Sequence, residues 1–366
     1  MSENRKRLSV AYDFQIFSLQ QHGGISKYFA DLMLELRRRK VAIHLPFLFY
    51  ANDHLDRSFA RFKIRLRGDS AAALTRCADL NMRLFPTRTA ARIYHPTFYL
   101  ESCLDRFADR PMVVTIYDMI PETFPEMFDS NPHFAKRRYV ERAAKVICIS
   151  AHTKRDLQTH FHVPDDKIAV VHLGIDPATV ERRTVLDGLP PRFLLFIGRR
   201  GGYKNFATVL RAYAHLPTSL DAALVCIGGG PFDEAERLEI AATGRPVVRL
   251  DANDAQVRYA LRRAIALVMS SCYEGFGLPI IEAMAQECPL ILSNASCFPE
   301  IANDAALYFE PLDAGALREL IGKVARDGAA LTEPLRRRGR HLVKDFTTDR
   351  LAELTESVYR QVVGAG

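Results

Sequence analysis

Nine consecutive residues, Glu274-Gly-Phe-Gly-Leu-Pro-Ile-Ile-Glu282, constrain this chain more than any other stretch. An apolar run, Ala264-Ile-Ala-Leu-Val-Met269, ends in Ser270-Ser271 just upstream, so the local order is a buried strand, a glycine turn and a helix. Pro279 suits the first helical position, where its missing N–H costs nothing. Glu274 then falls on the loop at the carboxyl end of a strand and Glu282 in the first turn of the helix behind it. Both carboxylates can face one crevice. Between them Gly275 and Gly277 leave the backbone bare, so the amides of Phe276, Gly277 and Leu278 can approach a diphosphate at a positive helix end. Two carboxylates for sugar hydroxyls beside a phosphate cradle suit a nucleotide-sugar. A bare Glu-x7-Glu spacing also occurs on any acidic helix, where it marks only surface glutamates.

The full string, Glu-Gly-Phe-Gly-Leu-Pro-x-x-Glu-Ala-Met-Ala, resembles the signature of the family 4 retaining glycosyltransferases. The resemblance implies an α/β chain with the GT-B fold, two Rossmann-like domains whose parallel sheets face each other across a cleft. It also implies that Glu274 contacts the donor sugar and Glu282 the ribose hydroxyls.

The rest of the chain alternates strands and helices, which argues for parallel sheets covered on both faces. Leu8-Ser-Val-Ala-Tyr12 is the first strand, and Gly23-Gly24 lies between it and a helix over 25–38, where an α/β sheet binds anions. Gly-Gly-Ile-Ser-Lys-Tyr28 resembles the first loop of family members that assemble bacterial surface polysaccharides, and the resemblance puts Gly23 and Gly24 at the donor phosphates and the acceptor. As residues alone they make an ordinary tight turn. Further strands are expected at Val41–Leu45, Ile93–His95, Met112–Ile116 and Val146–Ile149. His95 and Tyr117-Asp118 lie at or just past strand ends and are acceptor-side candidates. Relatives often have His-Asp where this chain has Tyr117-Asp118, so a role tied to that histidine does not carry over, while Asp118 keeps its place. A lone histidine such as His95 is more often structural. Residues 1–178 form an amino-terminal domain on this reading, with Pro177 to Pro191 as the linker. Residues 190–345 form the second domain, and 346–366 a terminal helix that crosses back to the first.

The second domain opens on the apolar strand Arg192-Phe-Leu-Leu-Phe-Ile-Gly198. Its loop, Arg199-Arg-Gly-Gly-Tyr-Lys204, runs into a helix that Asn205 can cap. Cations at a strand end beside oriented amides suit a diphosphate that gains charge as it leaves, and Arg199 and Lys204 fall where the family has its Arg and Lys. Leu224-Val-Cys-Ile-Gly-Gly-Gly230 does not fit the Gly-x-Gly-x-x-Gly spacing of a dinucleotide fold and is expected to form a turn near the nucleotide. No metal-ligand spacing is visible, and Arg and Lys can replace a cation at the diphosphate, so metal-independent activity without a cofactor is expected.

Charge and cysteines narrow the setting. Residues 1–180 carry 27 Lys and Arg against 20 Asp and Glu, whereas 181–366 carry 23 of each, so the whole net charge of +7 belongs to the first half. Nine basic residues (Arg57, Arg61, Lys63, Arg65, Arg67, Arg76, Arg83, Arg88 and Arg92) meet only Asp69 and Asp79 in the densest stretch. Such a face attracts an anionic membrane or a phosphorylated acceptor, or is simply solvated. Nucleic acid is disfavoured because no recognition module is present. Seven cysteines without a C-x-x-C pair suit reduced core thiols. No stretch reaches the ~18 apolar residues of a spanning helix and the first seven residues are too polar to open a signal peptide, so the expected place is the cytoplasm, with the inner face of its membrane as a peripheral site.

The function expected from the resemblance is retaining transfer of a hexose, first mannose from GDP-mannose and otherwise another NDP-sugar, to a hydroxyl of a glycan or lipid-linked acceptor. The residues expected to carry it are Arg199, Lys204, Glu274, Gly275, Phe276, Gly277, Leu278 and Glu282 on the donor side, with Gly23 and Gly24, and Asp118 at the reacting centre. A non-catalytic nucleotide-sugar binding protein, a sugar-nucleotide epimerase and an NAD(P)-dependent oxidoreductase are the competing classes.

Overall fold

A computed structural model describes residues 8–66, 70–84, 86, 88–176 and 184–364 of the chain. It divides into two compact units, Met1–Gly174 with Thr348–Gly366, and Ile175–Thr347. The first seven residues of the expected linker, 177–183, lie outside the described residues, as does Arg67 of the basic stretch.

In the first unit, short runs of apolar and β-branched residues form strands β1 (Ser9–Tyr12), β2 (Ala42–His44), β3 (Phe49–Tyr50), β4 (Ile64–Arg65), β5 (Ile93–His95), β6 (Val113–Ile116), β7 (Lys145–Cys148) and β8 (Ile168–Val170). Two parallel ladders, β2-β1-β5 and β6-β7-β8, are joined by a parallel bridge between Tyr94 and Met112. Val10, Ile93, Val113, Val114, Val146 and Ile147 are fully buried, as expected of a sheet covered on both faces. The chain order reverses between β1 and β5. The loops that follow these two strands hold Asp13 and Thr97, and there Asp13 is wholly buried. Its carboxylate accepts bonds from the Thr97 amide (3.0 Å), the Thr97 hydroxyl (2.5 Å), the Tyr94 hydroxyl (2.6 Å) and the Gln15 side chain (2.6 Å). Burial raises its pKa even so.

The helix Thr348–Gly364 belongs to this unit and packs along the helix Gly24–Arg38. Leu351, Thr355 and Val358-Tyr359 recur at helical spacing on its buried face. Strands β3 and β4 form a separate two-stranded parallel sheet, with the helix Ala71–Leu84 packed against β3.

The second unit contains strands β9 (Phe193–Ile197), β10 (Ala223–Ile227), β11 (Val247–Leu250), β12 (Leu267–Met269), β13 (Leu290–Ser293) and β14 (Ala306–Phe309). All are parallel, in the order β11-β10-β9-β12-β13-β14. This is the Rossmann order, which reverses between β9 and β12, and ligands bind outside the carboxyl ends of strands at such a point. Leu194, Phe196, Leu224, Val268 and Ile291 bury one face of the sheet against Phe206, Val209 and Tyr213 of the helix Phe206–Ala214 and Leu317 and Ile321 of the helix Ala314–Leu342. Burial of a core aliphatic or aromatic side chain contributes ~1.5–3 kcal/mol, so this layer fixes the sheet on which the two switch-point loops stand.

Candidate active site

The loops after β9 and β12 are bonded to each other along their length. The Cys272 amide donates to the Tyr203 carbonyl (2.7 Å), and the Ser270 hydroxyl lies 3.0 and 2.8 Å from the carbonyls of Lys204 and Asn205. The Asn205 side-chain NH2 donates to the carbonyls of Ser270 (3.0 Å) and Pro311 (2.6 Å). Asn205 therefore does not cap the following helix as the sequence suggests. It sits in the left-handed region (φ 54°) with no side-chain bond to the helix amides, because its NH2 is committed to tying two loops together and its oxygen accepts the Thr208 hydroxyl.

This bonding brings Lys204 and Glu274, seventy residues apart, into an ion pair of 2.5 Å. The Ser271 hydroxyl donates to the same Glu274 oxygen (2.9 Å), and Ser296 holds the Glu274 backbone, accepting from its amide (2.8 Å) and reaching its carbonyl (2.7 Å). The lysine and glutamate side chains are 19% and 12% exposed, so the pair is shielded yet open to a ligand. Sequence reasoning missed Ser271 and Ser296 as positioning groups. Ser296 lies on the loop after β13, and nothing in the local pattern marks it.

Gly277 has φ +87°, and a Cβ there would meet Ile280 Cδ1 and Phe298 Cε1 at 3.0 Å each. Both the backbone angle and the space require glycine. The helix that follows runs Leu278–Ala285, with Pro279 at its second position instead of the first. Glu282 consequently lies in the second turn, not the first. It is half-buried, and its own carbonyl accepts the Gln286 amide that ends the helix. The Phe276 ring is core, buried and edge-on to Phe346 at 5.9 Å, so only its backbone remains for a ligand.

The two arginines after β9 have opposite roles. Arg200 is buried, pairs with Glu236 (2.6 Å) and donates to the carbonyls of Gly228 (2.9 Å), Gly230 (3.1 Å) and Pro231 (3.0 Å). It thereby shapes the glycine turn after β10. Gly229 (φ +75°) is needed there, since a Cβ would lie 2.6 Å from the Arg200 guanidinium and 2.8 Å from the Gly198 carbonyl. Arg199 is exposed and helps to line a cleft of about 490 Å³ walled by this turn. Glu236, three residues past the cap Asp233, completes a capping box and was not legible as the partner of Arg200.

In the first unit Gly23 precedes and Gly24 begins the helix Gly24–Arg38, and the Ser26 hydroxyl donates back to the Gly23 carbonyl (2.9 Å). His95 is not at an acceptor-facing surface. It is wholly buried, with Nδ1 bonded to the Tyr359 hydroxyl (2.6 Å) and Nε2 to the Thr115 hydroxyl (3.0 Å). Burial drives its pKa down to about 3, which keeps the ring neutral. Tyr117 is also core, 7% exposed among the rings of Tyr28, Phe29 and Tyr99, with its hydroxyl buried and unpartnered among the described residues. Both side chains point into the layer under the sheet, which corrects their acceptor-side assignment. Asp118 is half-buried, its Oδ1 accepts the Ile120 amide (3.1 Å), and its carbonyl accepts from the buried Lys136 (3.0 Å), itself paired with Glu122 (2.7 Å).

The seven cysteines are free thiols, six of them buried, and burial pushes Cys226 and Cys288 up to about 12. Among the described residues no three His, Cys, Asp or Glu side chains are grouped so as to hold a metal, and no helix is long and apolar enough to cross a membrane.

A family model described as Glycosyltransferase Family 4 matches residues 22–179, and one described as Glycosyl transferases group 1 matches 181–341. O-antigen chain mannosyltransferase B of Escherichia coli is 28% identical over 292 residues, 73% of this chain and 74% of that one. O-antigen chain mannosyltransferase RfbU of Salmonella typhimurium is 26% identical over 216 residues, 56% of this chain and 58% of that one. Among solved structures, sucrose-phosphate synthase from Thermosynechococcus elongatus superposes with a TM-score of 0.76 at 20% identity, covering 98% of this chain and all of that one. Anabaena HepE in complex with UDP and glucose gives 0.69 at 15% identity, covering 97% of this chain and all of that one. The likeness in structure establishes the GT-B fold. The two family models, which together match residues 22–179 and 181–341, and a doubly wound second unit whose switch point holds a Lys-Glu pair identify the chain as a family 4 glycosyltransferase.

Proposed function

We propose that this glycosyltransferase moves mannose from GDP-mannose to a hydroxyl of a glycan or lipid-linked acceptor in cell-surface polysaccharide synthesis, with retention at the anomeric carbon. The observation that carries the donor side is the Lys204-Glu274 pair held by two interlocked loops at the switch point. With donor bound, Lys204 turns to the diphosphate and Glu274 to the sugar hydroxyls, each trading the other for a ligand of matching charge. Arg199 adds a second cation where negative charge grows, and Glu282 takes the ribose hydroxyls. The bond from the sugar to the diphosphate oxygen breaks as the acceptor oxygen bonds the same face, and the acceptor proton passes to the departing phosphate. Asp118, with Gly23 and Gly24, is the candidate acceptor-side group of the first unit. Two cations at the diphosphate support activity without a metal ion. The choice of mannose rests on the names of the two O-antigen relatives. The free core thiols suit a reducing compartment, which supports a cytoplasmic place of action.

Thermal shift with GDP, UDP, ADP and their sugars tests the donor, because a ligand at ~100 times its Kd adds about 2.7 kcal/mol to the unit that binds it. GDP and GDP-mannose are expected to raise the melting temperature most. A larger shift with UDP-glucose moves the proposal to a UDP-sugar. Transfer from labelled donor should persist in excess EDTA. Binding without transfer to any lipid-linked or glycan acceptor would reduce the protein to a nucleotide-sugar binder.

A further inference from the structure

The helix Leu278–Ala285 starts at the Gly277 turn and ends at the opposite, amino edge of the second unit's sheet, where the chain turns into β13. At that end a cleft of about 350 Å³ is lined by Arg262, Ala285, Gln286, Glu287 and Arg336. Three elements supply these residues: the last turn of the helix Asp254–Arg263, the end of the helix Leu278–Ala285, and the helix Ala314–Leu342. The last two are closely packed, since a Cβ on Gly339 would lie 3.1 Å from the Met284 side chain. The cleft is thus built on helices and lies at the other end of the strands from the loops after β9 and β12.

Polar groups of this cleft lack partners. Gln286 is only 5% exposed, yet its buried Oε1 accepts no hydrogen bond among the described residues. The Nε of the half-buried Arg336 is likewise buried and donates to nothing among them. No carboxylate of the described residues pairs with Arg262 or Arg336. Glu287, the acidic residue of the lining, is taken by Arg340 (2.6 Å), so the cleft carries uncompensated positive charge. A cation near a helix carboxyl end is favourable by itself, but a guanidinium placed only for that would donate to the last carbonyls. Neither does so among the described residues. A buried acceptor without a donor is costly, and a polar ligand that supplies one accounts for it.

We propose that this cleft binds a phosphorylated sugar, its phosphate bridging the guanidiniums of Arg262 and Arg336 and a sugar hydroxyl donating to Gln286 Oε1. Guanidinium forks match phosphate oxygens, whereas Gln286 Oε1 needs a donor that the phosphoryl group of a monoester dianion lacks and a sugar hydroxyl has. The volume suits a small ligand of this kind. Because the cleft and the switch point lie at opposite edges of the sheet, a ligand here does not compete with a nucleotide-sugar there. The inference stands without the donor assignment.

The experiment is titration calorimetry of the full chain with mannose 6-phosphate, inorganic phosphate and mannose, on the wild type, R262E, R336K and K204A. Mannose 6-phosphate is expected to bind the wild type and K204A alike, ~tenfold or more tightly than inorganic phosphate, and mannose alone is expected not to bind. R262E should weaken the sugar phosphate by ~tenfold or more, the range for a lost hydrogen bond to a charged group. Arg262 is exposed, so the melting temperature should not move. R336K keeps the charge and loses the planar fork, and it should weaken binding in the same sense. No binding of mannose 6-phosphate, equal affinity in R262E and wild type, or equal affinity for inorganic phosphate and the sugar phosphate would each overturn the proposal. Loss of binding in K204A with retention in R262E would assign the sugar phosphate to the switch point and overturn it as well.

Discussion

At the residue scale the Lys204-Glu274 pair sets the expectations. On the proposed mechanism K204A removes the cation that the departing diphosphate needs most, so kcat should fall by ~10²-fold or more, about 2.7–4 kcal/mol of barrier, with a smaller change in donor affinity. R199A should act in the same sense without lowering the melting temperature, because Arg199 is exposed and Arg200 holds the adjacent turn. Single-turnover transfer separates the two effects. E282A should weaken donor binding by ~10–100-fold in titration calorimetry, the range for hydrogen bonds to a charged group, and unchanged affinity would remove Glu282 from the ribose. His95 gives a pH prediction. Its folded pKa, about 3, lies below the ordinary 6.5, so the neutral ring stabilises the fold fully above pH ~6.5 and loses that contribution as pH falls toward 3. In that window stability should drop by about 1.4 kcal/mol per pH unit through this group, and H95Q, less stable at neutral pH, should show a flatter acid limb in denaturant titrations.

At the element scale the site depends on the turn between β12 and the helix Leu278–Ala285. G277A forces an alanine into φ +87° and against Ile280 and Phe298, so it should cost ~1–3 kcal/mol by chemical denaturation and displace the helix that carries Glu282. The strand, turn and helix were legible because apolar run, glycines and proline follow in the order that backbone sterics require. The helix start was displaced by a residue, which moved Glu282 into the second turn, because helix ends are set by cap geometry that sequence fixes only loosely. The Asn205 cap failed for a different reason: an asparagine that looks local was recruited by Ser270 and Pro311, from strands and loops far along the chain.

At the scale of the whole molecule, the helix Thr348–Gly364 is part of the first unit, anchored by Tyr359 between Tyr12 (2.7 Å) and His95 (2.6 Å). Y359F strips both partners of a buried hydrogen bond and should lower the first unit's unfolding transition by ~1–3 kcal/mol while leaving donor affinity in the second unit unchanged, which calorimetry with and without nucleotide can resolve. The sequence by itself determined the alternation of strand and helix, the α/β class and the glycine turns, and it set Arg199, Lys204 and Glu274 on the loops that follow two strands, since these follow from hydrophobic period, backbone sterics and a local motif. Only the tertiary structure decided that His95 and Tyr117 are core, that Ser271 and Ser296 hold Glu274, and that Arg200 builds a turn. Burial and pairing of those side chains depend on neighbours scores of residues away, brought together by sheet order, and no local pattern encodes that.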